Sequence, residues 1–78
     1  MKKRIYMTYP KELIKEPLIY NIGKDFQVAT NIRQATISDT IGLVAVELDG
    51  NPEAIDKAIE YLTSKGVKVE PIELDVIE

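Results

Sequence analysis

Apolar positions recur along the chain with two different periods, and the switch between them outlines the fold. Over residues 3–9 the period is two: Ile5, Met7 and Tyr9 share one face of an extended strand, with Arg4, Tyr6 and Thr8 on the other. Over residues 51–66 it lengthens to that of a helix, with Ile55, Ala58, Ile59 and Leu62 at i, i+3, i+4 and i+7 and Asp56, Lys57 and Glu60 left wet. Asn51 suits the cap, Pro52 the first helical position and Gly66 a left-handed stop. Val67 and Val69 then alternate with Lys68 and Glu70 as a final strand. Residues 27–37 and 41–48 are two more β-rich runs, and Ser38-Asp39-Thr40 between them predicts a hairpin.

Residues 10–24 carry Leu13, Ile14, Leu18, Ile19 and Ile22 in a helical pattern interrupted by Pro17. A proline inside a helix removes a hydrogen bond and clashes with the preceding turn, at about 3 kcal/mol. Placing Pro17 in the first turn removes the conflict. The helix is then expected from about Glu16 to Gly23 or Lys24, with Leu18, Ile19 and Ile22 buried and residues 10–15 as its approach.

The order strand, helix, strand, strand, helix, strand, joined by right-handed crossovers, predicts an α+β ferredoxin-like βαββαβ sandwich. Its four-stranded antiparallel sheet has two helices on one face, the first and third strands central, the fourth beside the first and the second at an edge. A single domain is expected to fill residues 1–78, with its core at about 4–74. Lys2, Lys3 and Arg4 would then lie antiparallel to Glu70, Glu73 and Asp75, so the basic cluster reads as a cross-strand complement.

Two departures from the pattern mark candidate binding surfaces. The third strand is apolar on both faces, with Val44, Val46 and Leu48 on one and Ile41, Leu43 and Ala45 on the other, yet helices cover only one face. An apolar patch joined by Tyr6 is expected on the free face, a feature that marks partner or ligand surfaces. In the second strand Phe26, Val28, Thr30 and Ile32 keep one parity, while Ala35 and Ile37 carry the opposite one. A β-bulge near Arg33-Gln34 accounts for the slip, and Asn31 lies just before it with two donors and an acceptor on its amide. Homodimerisation through the free face or through the second strand's open edge is expected.

Composition narrows the chemistry. The 78 residues include no Cys, His or Trp, which excludes a zinc finger, cysteine-ligated iron–sulfur centre, thiol nucleophile or Ser-His-Asp triad within them. Ten Lys and Arg against thirteen Asp and Glu give a net charge of -3, which argues against nucleic acid as a partner. No apolar run approaches the roughly 20 residues of a membrane span, and Lys2-Lys3-Arg4 is followed by too short and polar a stretch for a signal peptide. A cytoplasmic location is expected, and the absence of disulfides fits a reducing compartment. The carboxylate pairs Glu47 with Asp49 and Glu70 with Glu73 read as solvated surface charge. Gly23-Lys24 and Lys65-Gly66 lack the spacing of a phosphate loop. The turn and cap explain Gly50 and Asn51 without an anion site. No cofactor and no catalysis are expected.

Three segments together resemble a known family. Residues 27–35 (QVATNIRQA), the strand Gly42-Leu43-Val44-Ala45-Val46-Glu47-Leu48 with Asp49-Gly50 after it, and residues 58–70 are similar to the NIL domain, and Pro17-Leu18-Ile19 matches the opening of that family's first helix. The resemblance covers about residues 4–72. It implies a ferredoxin-like domain that pairs as a dimer, occurs at the C-terminal end of the ATPase subunit of bacterial methionine importers, and there binds methionine and inhibits transport. The family also occurs joined to iron–sulfur ferredoxin modules and in proteins of sulfur amino-acid metabolism. The motif asparagine, which contributes to the ligand site near the dimer interface, falls on Asn31 and the next isoleucine on Ile32.

The third motif position, usually leucine, is Arg33. Facing the pocket, its permanent charge favours a carboxylate over a thioether; facing water, it changes nothing. These residues hold neither a Walker loop nor ferredoxin cysteine clusters, so action on a separate partner, or as part of something larger, is implied. The expected function is a non-catalytic sensor binding a methionine-like amino acid at a dimer interface through Asn31, Ile32 and Arg33, its partner an ABC transporter ATPase or a sulfur-metabolism protein. The alternative is an interaction or dimerisation module that binds no ligand. An enzyme using carboxylates or tyrosine is the weakest reading.

Overall fold

A computed structural model describes residues 1–72. Strand β1 (Lys2–Pro10) leads through a 3-10 turn (Lys11–Leu13) into helix α1 (Leu18–Phe26), followed by β2 (Ala29–Ile37), β3 (Ile41–Asp49), α2 (Pro52–Lys65) and β4 (Lys68–Pro71). The sheet order is β2-β3-β1-β4, and every neighbouring pair is antiparallel. This is the ferredoxin-like arrangement expected from the pattern. The core lies between sheet and helices: Ile5, Met7 and Tyr9 of β1 and Val44, Val46 and Leu48 of β3 pack with Leu18 and Ile22 of α1 and Ile55, Ala58 and Leu62 of α2.

Helix α2 forms where its caps place it. Asn51 Oδ1 accepts the Glu53 N–H at 2.8 Å, Pro52 opens the first turn, and Gly66 ends the helix at a φ of 108°, where a side chain would be strained. Helix α1 is less regular. Pro17 stands at its N-cap, and the helix continues through Gly23 and Lys24 to Phe26, two residues beyond the expected stop. The stop is Gln27, at a φ of 57°. Packing explains the extension: the Phe26 ring lies 5.5 Å from that of Tyr61, and Asn21 Nδ2 donates to the Tyr61 hydroxyl at 3.0 Å. These contacts offset the roughly 1 kcal/mol propensity cost of an interior glycine. Phe26 therefore belongs to the helix, not to the parity of the second strand, and Ile19 is partly rather than fully buried.

Arg4 finds a complement on β3, on the other side of β1 from the strand expected to supply it. Lys2 stands opposite Asp49 and Arg4 opposite Glu47 on β3, with Arg4 Nε donating to Glu47 Oε2 at 3.4 Å. Glu70 on β4 pairs in register with Tyr6, and its ion pair is with Lys68 of its own strand, at 3.8 Å. Glu73 and Asp75 lie outside the described residues.

Candidate functional site

Among the described residues strand β2 pairs only with β3, which leaves its other edge open there. Thr30, Ile32, Ala35 and Ile37 stand opposite Leu48, Val46, Val44 and Gly42, which places them on the helix side of the sheet. Ala29, Asn31, Gln34 and Thr36 stand opposite Asp49, Glu47, Ala45 and Leu43, on the free face. Between the two registers Arg33 is the unpaired residue, because the ladder shifts from Ile32 to Gln34. The bulge inferred from the parity slip is therefore present, and it keeps Ala35 and Ile37 on the same side as Ile32.

The three residues singled out from the sequence do not converge within one chain. Ile32 faces the helix side, Asn31 the free face beside Glu47, and Arg33 is exposed at the bulge. Ile32 and Ile37 remain 53% and 57% exposed although they face the helices. The helices leave this edge of the sheet uncovered.

What the edge and α1 enclose is an open apolar groove of roughly 300 Å³. Ile32, Ala35 and Ile37 form its β2 side, Tyr9 and Val44 line it from the central strands, and Ile14 with residues 16–20 forms the opposite wall. Gly42 makes this convergence possible: a Cβ there would lie 3.1 Å from Ile37 Cδ1 and 3.4 Å from Tyr9 Cβ. The volume is at the small end of ligand pockets and suits a single amino acid rather than a cofactor.

Polar groups at the groove are few. Tyr9 is 6% exposed, and burial pushes its phenol up to about 12. Its side chain lines the groove, and among the described residues no sealed side-chain nitrogen or oxygen is left without a hydrogen-bond partner. Glu16 is the one charged residue of the lining. The first turn of α1 has neither a side-chain cap nor an acidic residue. The Leu18 N–H donates to the Glu16 carbonyl at 2.8 Å and the Asn21 N–H to the Pro17 carbonyl at 3.0 Å, whereas the Ile19 and Tyr20 N–H groups have no backbone acceptor among the described residues. Sequence reading passed over Tyr9 and Glu16. The available signal was Pro17 opening a helix with no Ser, Thr, Asp or Asn beside it to cap the turn.

On the free face, Tyr6, Ile41 and Leu43 form the expected exposed apolar patch, while Ala45 is buried among its neighbours. Among the described residues there is no cluster of side chains able to hold a metal ion, and no helix is long and apolar enough to cross a membrane.

The NIL domain family model matches residues 3–71, nearly the whole described chain. The chain belongs to the NIL domain family. Among relatives, this NIL domain is 32% identical over 74 residues to the methionine import ATP-binding protein MetN of Bacillus subtilis, a match covering 90% of this chain and 22% of that protein. It is 35% identical over 66 residues to the L-aspartate semialdehyde sulfurtransferase iron-sulfur subunit of Methanocaldococcus jannaschii, covering 85% of this chain and 50% of that one. The NIL domain thus spans from about a fifth to half of these relatives. The C-terminal domain of an ABC transporter ATP-binding protein from Enterococcus faecalis superposes with a TM-score of 0.82 at 28% identity, covering 94% of this chain and 86% of that one. The designed protein Foldit4, at 17% identity and a TM-score of 0.58, shares the fold alone.

Proposed function

We propose that this NIL domain is a non-catalytic regulatory domain that binds a methionine-like amino acid where two copies meet along β2, and that it acts on the cytoplasmic side on an ABC-type ATPase or a sulfur-metabolism protein. The observation that carries the reading is the groove between α1 and the β2 edge. It is apolar, of amino-acid size, and left open where a second copy would close it. Likeness to proteins named as methionine import ATP-binding proteins supports the ligand class. Ile32 contributes from inside the groove, while Asn31 and Arg33 act from the rim of the same edge, toward the ligand or the partner copy. Regulation then requires that the ligand favour one assembly state over another.

Light scattering combined with calorimetry tests this. A dimer that releases or absorbs heat with L-methionine or L-homocysteine is expected, with Asn31→Ala weakening binding and Ile32→Asp removing both dimer and ligand while the monomer stays folded. A monomer that gives no heat with either amino acid overturns the reading. A second reading, an interaction module with no ligand, is favoured by one observation: Asn31 and Ile32 occupy opposite faces, so a single chain offers no pocket holding both. A dimer that persists without any amino-acid heat supports this second reading.

A further inference from the structure

We infer that Ala35 is the specificity-determining residue of the groove, the floor of a notch between Ile32 and Ile37 that gauges the length of an unbranched apolar chain. The inference rests on the proposal that the groove is a ligand site, and it adds the residue that decides among occupants. Among the described residues that line the groove, Ala35 is the one whose side chain is a single methyl. Its neighbours on the same face of β2 are Ile32 and Ile37. These stand opposite Val46 and Gly42, four residues apart on β3, which sets the two isoleucines about 13 Å apart at the usual rise of a strand. Both remain more than half exposed and Ala35 is exposed between them, so the chain's own side chains leave the notch unfilled.

Two backbone features put the notch there. Along a regular strand the residue two positions after Ile32 shares its face, and that residue is Gln34. The extra residue at Arg33 shifts the ladder, so Gln34 goes to the free face opposite Ala45 and Ala35 comes to the groove opposite Val44. The bulge thereby exchanges a long amide for a methyl in the groove wall. Gly42 supplies the second feature: Ile37 Cδ1 lies 3.1 Å from the place of a Cβ on Gly42, so the Ile37 side chain leans across onto β3 rather than along β2 over Ala35. An occupant that enters between the isoleucines gains about fourfold in affinity for each methylene it buries, until its tip meets the Ala35 methyl.

Nuclear magnetic resonance titration of the isotopically labelled chain tests this with L-2-aminobutyrate, L-norvaline and L-norleucine, which differ by one methylene each. In the native chain norleucine is expected to bind about sixteenfold more tightly than aminobutyrate, with norvaline between them. Ale35 is tested by Ala35→Val, which suits a strand and raises the floor of the notch; the ratio is expected to fall below about threefold while the urea midpoint stays that of the native chain. Thr36→Val adds apolar surface to the opposite face of the same strand and is expected to keep the native ratio. If all three probes bind and the ratio survives Ala35→Val, or is already near one in the native chain, the inference is overturned while the sensor reading stands. If none of the three binds, the sensor reading falls and the inference with it.

Discussion

Strands β2 and β3 are nine residues each, lie side by side, and are both rich in β-branched residues. They nevertheless meet opposite fates. In β3, Val46 and Leu48 are fully buried; in β2, every residue but Thr30 is exposed, Ile32 and Ile37 included. The crossovers decide this: β3 is enclosed between β1 and β2, whereas among the described residues β2 has one neighbour. The apolar residues of β3 therefore hold the fold, and those of β2 are free for a partner. An open edge carrying two exposed isoleucines invites uncontrolled pairing, and the bulge with its charged Arg33 limits the ways a second strand can align there.

The comparison fails if the edge proves as important to the monomer as the centre. Leu62→Ala, at a fully buried site of α2 over the central strands, is expected to cost about 3 kcal/mol, within the usual range for emptying a leucine site in a core. Ile32→Ala, at a half-exposed position, is expected to cost about 0.5 kcal/mol. Urea unfolding at a concentration where the chain is monomeric measures both. Equal costs would mean that β2 is part of the monomer's core after all.

This division also sets how much was legible beforehand. Helix α2 announced itself through Asn51, Pro52, Gly66 and a clean i, i+3, i+4, i+7 row, because local capping and packing agree there. The bulge at Arg33 was legible because a period-two strand cannot change parity silently. The end of α1 was not, since Phe26 extends it by packing on Tyr61, a residue 35 positions away. The complement of Arg4 was misplaced for a similar reason. Charge counts do not say which of two neighbouring strands supplies the partner, and Glu47 on β3 does. Asn31 was found as a residue, and its separation from Ile32 by the plane of the sheet was legible too, because successive side chains of a strand point to opposite faces.

Tyr9 sharpens the comparison, because it belongs to the central strands yet lines the edge groove. Its phenol is raised to about 12 by burial, above the ordinary value of 10.0 that it regains on unfolding. The unfolded chain therefore releases this proton at a lower pH than the folded one. The stability linked to neutral Tyr9 is fully present below pH 10 and is lost as pH rises from 10 through 12. Urea titrations of the native chain and Tyr9→Phe between pH 9 and pH 11.5 measure the difference. The native chain should lose stability faster over that window, and parallel slopes would show that the hydroxyl is well solvated in the groove rather than buried.

The smallest effect is expected where the pattern looks most irregular. Arg33 is an extra residue in the ladder, so deleting it leaves Ile32 opposite Val46 and Gln34 opposite Ala45 with their faces unchanged. Removing one residue from a regular strand would instead turn every later side chain over, from the core face to the wet one. Deletion of Arg33 is therefore expected to change stability by only about 0.5 kcal/mol, as for an exposed site, while straightening β2 and altering the edge offered to a second copy. Urea unfolding and light scattering on the deletion variant separate the two consequences. Retained stability with altered self-association assigns the bulge to the interface, whereas an unfolded variant would place it among the elements that hold the single chain together.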